Sequence, residues 1–191
     1  MTSVTHVCYV DIETTSDEDG EKIRISPFFG QQLVSIGTIE MSENYYGRLY
    51  HFFYHKKREP DQDAFKRVQT SLDRTDVLVG HNLKFDLQWM RECGFVYNGP
   101  IFDTMVADYL LLRGQKKGLS LDECCKRRGI DGKNTEILEH YLRKGMSFDE
   151  IPPDLVEEYG MNDVEITKML ANKQLKDFNT SWEGYAHATN S

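Results

Sequence analysis

The stretch VCYVDIETT, residues 7–15, runs apolar until it meets Asp11 and Glu13 and then turns polar. Read as a strand, its side chains alternate faces with a period of two, so both carboxylates point to one side. A buried strand that ends on two neighbouring like charges needs something to neutralise them. Two later stretches offer partners. In VLVGHNLKFDLQWM a short apolar strand leaves through Gly80 into His81, Asn82 and Asp86. A helix near 83–93 puts Asn82 and Asp86 four apart at its start, sharing a face. In EEYGMNDVEITKML, Tyr159 and Asp163 are also four apart, on a segment whose Leu155, Val164, Ile166 and Leu170 give a helix a buried side.

Oxygen-only ligands suit hard cations such as Mg²⁺ or Mn²⁺. Asp11, Glu13, Asp86 and Asp163 are therefore expected to converge on two divalent metal ions. Such a pair, about 3.5–4 Å apart, can generate hydroxide on one side of a phosphodiester and stabilise the leaving oxygen on the other. A lone DxE among 31 acidic residues means little, and an exposed helix face explains NxxxD or YxxxD taken singly. Three such motifs in order, each at the end of an element, are what point to a site.

The rest of the chain reads as α/β. Strands are expected near 4–12, 33–40, 48–54 and 76–80, and helices near 61–73, 83–93, 104–112, 120–128, 135–144 and 153–175. Pro152 and Pro153, followed by Asp154 and Glu157, make a good start for the last helix. The tail NTSWEGYAHATNS shows no periodicity and is expected to fray. With 191 residues, 39% of them hydrophobic, the chain fits one domain with a sizeable core. It has no basic region followed by an apolar core at its N-terminus and no apolar run of membrane-spanning length. Its four cysteines show neither CxxC nor metal-ligand spacing. These features suggest a cytoplasmic protein with reduced thiols. A net charge of −8 argues against coating nucleic acid by bulk electrostatics, although it suits an enzyme whose acids hold metal.

The stretches YVDIETT, VGHNLKFD, IFDTMVADYLLL followed by GLSLDECCKRRG, and EEYGMNDVEIT together resemble the DEDD-type 3′–5′ exonucleases. The similarity is greatest to the proofreading exonuclease domain of DNA polymerase I-like (family A) polymerases, and it extends over most of residues 4–172. Tyr159 stands four before Asp163, and Glu158 rather than histidine stands five before, as in the tyrosine subgroup. The resemblance implies a ribonuclease H-like α/β fold, with a mixed sheet of about five strands flanked by helices. One exonuclease domain is expected over 1–178, with a flexible tail over 179–191 where periodicity is lacking. By the same resemblance Asp11, Glu13 and Asp163 would ligate a first metal. Asp11 would share the second, Asp86 would hold it through water, and Tyr159 would orient the attacking water. Asn82, Phe85 and Phe102 match family positions that line the single-strand channel, with core packing the alternative for Phe85 and Phe102, and Thr14 and His81 are further candidate substrate contacts.

The implied activity is hydrolysis of single-stranded DNA from its 3′ end to nucleoside 5′-monophosphates. From the chain's length the expectation is a free-standing enzyme, one that proofreads in trans with a separately encoded DNA polymerase, or an excised domain. A ribonuclease D-like activity on RNA is the alternative among enzymes. A catalytically silent module that binds nucleic acid or a polymerase is the alternative outside them. One departure stands out: relatives place an apolar wedge shortly after the DxE, whereas Thr15, Ser16, Asp17, Glu18 and Asp19 follow here, so the wedge is expected from Ile23 or Phe28, or not at all. The clusters Lys56-Lys57-Arg58, Lys116-Lys117 and Lys126-Arg127-Arg128 read as solvated faces and are not taken as sites.

Overall fold

Eight residues, Val7–Thr14, make β1, and its neighbours decide where the acidic end of that strand lies. In the computed structural model, which describes residues 5–19, 22–131 and 136–189, a hairpin of β2 (Asp17–Asp19) and β3 (Lys22–Arg24) follows. β4 (Leu33–Ser42) then returns antiparallel beside β1, and β5 (Tyr45–Phe52) pairs antiparallel with β4. β6 (Val77–Gly80) lies parallel to β1 on its other side, with β7 (Ile101–Asp103) parallel beyond it. The sheet has five strands in the order β5-β4-β1-β6-β7, which is the mixed sheet expected of a ribonuclease H-like fold.

Helices α1 (Ala64–Asp73) and α2 (Leu83–Glu92) cover one face of this sheet. There Cys8, Val10 and Ile12 of β1 pack with Val68, Leu72, Leu83 and Trp89. α3 (Thr104–Leu111), α4 (Leu121–Arg127), α5 (Glu136–Arg143) and α6 (Pro153–Asp177) follow. On the other face Val7 and Tyr9 meet Met161, Val164, Ala171 and Leu175 of α6. Period-two alternation therefore sends Asp11 and Glu13 toward α6, because they share a face with Val7 and Tyr9. No helix among the described residues is long and apolar enough to cross a membrane.

Close approach of α6 depends on two glycines. Gly37, paired with Asp11 across the strands, has no room for a side chain: an added Cβ would lie 3.1 Å from the Tyr50 ring and 3.2 Å from Val164. At Gly160 it would lie 2.7 Å from the Tyr50 hydroxyl. Tyr50 thus fills the gap between β5 and α6, its hydroxyl 2.7 Å from Ser35 Oγ and donating to Val156 O at 3.1 Å.

The main elements form where the hydrophobic pattern places them, with ends moved by a few residues. The strand expected at 48–54 runs from Tyr45 to Phe52, and the helix expected at 61–73 begins at Ala64. The tail is a correction. Residues Trp182–Thr189 form α7, and Ser181 Oγ accepts the Gly184 N–H at 3.2 Å. Trp182, Tyr185 and Ala186, spaced i, i+3 and i+4, pack onto the β1 core. The Trp182 ring meets Phe102 edge-on at 5.3 Å, its Nε1 donates to Asn172 Oδ1, and the Tyr185 hydroxyl donates to Ile101 O at 2.5 Å. α7 therefore shields β7, the edge strand, from pairing with another chain. Trp182→Ala is expected to lower stability by about 2 kcal/mol, less than a fully buried tryptophan would cost because the side chain is half-buried. A thermal melt of that variant within a degree of wild type would mean that α7 adds nothing to the core.

Candidate active site

β1 overhangs its parallel neighbour. Its register with β6 runs only from Val7↔Val77 to Tyr9↔Val79, so Val10–Thr14 continue past the last paired residue of β6. The backbone N–H of Ile12, which a longer β6 would have taken, is accepted by the carboxylate of Asp86 from the start of α2. On the β4 side pairing persists through Asp11↔Gly37 and Glu13↔Ser35, then shifts by a bulge between Glu13 and Thr14. The bulge ends the regular strand immediately after the second carboxylate.

α6 passes over this overhang with Asp163 and Tyr159 one helical turn apart. Asp11, Glu13 and Asp163 each offer a carboxylate oxygen, and these oxygens lie within 4.8 Å of one another. Three carboxylates at that spacing repel unless a cation or protons join them, and an all-oxygen donor set suits a hard divalent cation. Asp86 is not part of this close group. Its carboxyl is buried and pushed up to about 7, by desolvation first and by the nearby charge of Asp103, against the hydrogen bond from Ile12. The Tyr159 hydroxyl is hydrogen-bonded to Asp163 and held far above the usual tyrosine range, by burial first and then by the charges of Asp163, Glu13 and Asp11. Phe148 stands against its ring with centroids 5.8 Å apart.

The positions expected to touch substrate fare differently. Asn82 is exposed, its backbone left-handed at φ 62°, at the turn into α2. Phe85 is half-buried and leans on Trp89, with centroids 6.3 Å apart. Three others are enclosed by the fold. Phe102 is 4% exposed, its ring held edge-on by Trp182 and Tyr185, so it belongs to the core and has no face free for a base. Thr14 is 6% exposed just beyond the bulge, which leaves almost none of it for substrate. His81 has Nδ1 at 2.8 Å from Thr104 Oγ1 and Nε2 at 2.9 Å from Leu119 O, so both ring nitrogens tie loops together and neither is open to a phosphate.

Two residues that shape the site escape sequence reasoning. Asp103 accepts the backbone N–H groups of Asn82 and Leu83 at 3.0 and 2.9 Å, and caps α3 through those of Met105 and Val106. It thereby fixes the turn that delivers Asp86. Tyr50 lies beneath the carboxylates, and its hydroxyl is raised well above the ordinary range by burial and then by Glu13. The segment DTM around Asp103 carries an N-cap signal, since aspartate before a helix is a common cap. Nothing local marks Tyr50. The wedge position stays polar near the DxE: Thr15 and Gln32 exchange hydrogen bonds, and Ser16 N–H donates to Ser147 Oγ. Phe28 is exposed in the following turn, while the side chain of Ile23 lies outside the described residues.

Residues 4–178 match the family described as 3′–5′ exonuclease, a span that contains all of these carboxylates and Tyr159. The chain belongs to that family. DNA polymerase I of Borreliella burgdorferi is 33% identical over 103 residues, covering 52% of this chain and 11% of the relative. The chain thus corresponds to a small part of that polymerase, and its exonuclease domain is of the DNA polymerase I type. The family depends on divalent metal, and the group of Asp11, Glu13 and Asp163 is chemically able to hold one.

Proposed function

We propose that the protein removes nucleotides one at a time from the 3′ end of single-stranded DNA, releasing nucleoside 5′-monophosphates in the presence of two Mg²⁺ or Mn²⁺ ions, alongside a DNA polymerase. The observation that carries this reading is the meeting of Asp11, Glu13 and Asp163 within 4.8 Å beneath Tyr159, in a chain of the 3′–5′ exonuclease family. Asp11, Glu13 and Asp163 would hold the cations, with Asp86 as an outer partner. Bound there, divalent cations supply Lewis acidity to the phosphodiester and its leaving oxygen.

The protein's own groups do the rest. Burial and three carboxylates keep Tyr159 protonated, so it is a poor proton acceptor. Its role is to orient a water for attack through the hydroxyl oxygen while its O–H, still protonated, donates to Asp163. Asp103 holds the turn from which Asp86 projects. Half-buried Phe85 and exposed Asn82 flank the approach for the terminal bases. The similarity to a DNA polymerase favours DNA as substrate and a polymerase as partner.

Parallel digestion of 3′-labelled DNA and RNA strands in Mn²⁺ tests this. DNA should be shortened stepwise to mononucleotides, and RNA more slowly. Faster loss of RNA would transfer the assignment to a ribonuclease D-like activity, and loss of neither would favour a silent binding module. Tyr159→Phe is expected to slow DNA hydrolysis roughly 10–100-fold while leaving Mn²⁺ binding by calorimetry unchanged. Full activity in that variant would remove Tyr159 from the mechanism.

A further inference from the structure

Away from the acidic site, α3, α4 and the C-terminal end of α6 surround an open notch of about 440 Å³. Four cations line it, Arg127, Arg128, Lys173 and Lys176, against two carboxylates, Asp108 and Asp177. Neither arginine is the solvated charge that the run Lys126-Arg127-Arg128 suggests. Both donate to the buried carboxylate of Asp108, and Arg128 Nε also reaches Asp177 at 3.0 Å. Lys173 Nζ donates to Arg128 O at 2.7 Å. Among the described residues Lys176 has no ion-pair partner.

The positive charge continues beyond the notch. After α3, Arg113 and Gly114 take left-handed backbone, φ 47° and 85°, and turn the exposed segment RGQKKG outward. It carries Arg113, Lys116 and Lys117, no acidic residue, and, among the described residues, no ion pair. Leu119, just past it, accepts the hydrogen bond from His81 Nε2, next to Asn82 at the site's rim. The cations therefore run from the edge of the carboxylate site to the notch, in a chain whose net charge is −8. Asp163 and Lys176 lie on the same helix thirteen residues apart, about 20 Å at 1.5 Å per residue.

We propose that this notch and the 113–117 segment bind the phosphate backbone of the nucleic-acid strand upstream of the nucleotide being removed. The proposal rests on the nuclease reading above. About 20 Å corresponds to roughly six phosphates at the ~3.4 Å spacing of one stacked strand. An acidic protein partner is less well matched, because docked proteins bury an apolar centre inside a polar rim. Here the charges are strung along a line that starts at the site. A strand entering past three carboxylates is repelled by them, and unpaired lysines beyond the site offset that repulsion by releasing counterions from the strand.

The test uses Arg113→Gln, Lys116→Gln, Lys117→Gln and Lys176→Gln together, none of which removes an ion pair among the described residues. Binding of a fluorescent DNA strand of about 20 nucleotides is followed by anisotropy in EDTA across salt, beside digestion of that strand and of one of about 4. The variant should bind the long strand at least ~10-fold more weakly, with a salt dependence shallower by roughly 2–3 in log–log slope. KM should rise for the long strand alone, with kcat unchanged. If the combined variant melts early, Lys116→Gln with Lys117→Gln should give about half the change in slope. Unaltered affinity and slope in a folded variant, with wild type digesting DNA, would overturn the notch and leave the nuclease reading standing. Wild type that binds through these cations yet digests nothing would sink the nuclease reading and leave the notch.

Discussion

Asp163→Ala is expected to lower the rate of 3′-end hydrolysis at least ~1,000-fold, the scale of losing several kcal/mol of transition-state charge stabilisation. The same change should leave the fold intact. Asp163 is buried, yet its neighbours Asp11 and Glu13 bring oxygens within 4.8 Å of it. Each like-charge pair at such a distance opposes folding by up to ~4 kcal/mol at an effective dielectric near 20. Removing one carboxylate relieves two of those pairs, so in EDTA the variant should melt no lower than wild type. Added Mn²⁺ then separates the two proteins. Wild type gains stability as RT ln(1 + [L]/Kd), and each 1 kcal/mol raises the Tm of a chain this size by about 2–4 °C. The variant should gain little. Retained activity, or a Tm in EDTA that falls sharply, would show that Asp163 holds the fold rather than a cation.

The ease with which Asp163 is found in the sequence has a physical origin. Strand and helix periods are local properties, so Asp11 and Glu13 two apart, and Tyr159 and Asp163 four apart, declare shared faces without any tertiary knowledge. The order of motifs then suffices to bring them together, since β1 is central and α6 crosses it. Residues that act across elements leave no such trace. Tyr50 reaches the site from β5 only because Gly37 and Gly160 leave it room. Asp103 governs the Asn82 turn from twenty-one residues away. The enclosure of Phe102 and His81 is hidden from the sequence for the same reason. Whether an aromatic ring or an imidazole faces solvent depends on α7 and on the Leu119 loop, both distant in sequence. α7 is hidden as well: Trp182, Tyr185 and Ala186 span only about one turn of apolar positions, too short for periodicity to stand out from a polar tail.

Asp108→Asn should produce the largest loss of stability, about 3–5 kcal/mol. Asp108 on α3 is fully buried and accepts from Arg127 and Arg128, at the end of α4, and from Gln174 Nε2 of α6 at 3.2 Å. One carboxylate thus joins three helices, and an amide in its place would leave two half-buried guanidinium groups without their counter-charge. Burial alone would raise its pKa, but the hydrogen bonds from Arg127 and Gln174 and the charge of Arg128 outweigh it and hold the carboxyl below the usual range. The sign of the pH dependence follows. A carboxyl with a depressed folded-state pKa contributes stability that is present above its unfolded value, about 3.9, and lost as pH falls through the folded one. Wild type should therefore melt well above Asp108→Asn at pH 6–8, and the gap should shrink as pH drops below about 4. Melting curves taken across that range decide the matter: a gap that stays constant would show that the loss comes from altered packing and not from the charge. Because Asp108 also fixes the two arginines of the cationic notch, the variant should bind single strands more weakly even at temperatures where it remains folded, and glutamine at Lys116 and Lys117 should weaken that binding without moving the melting curve.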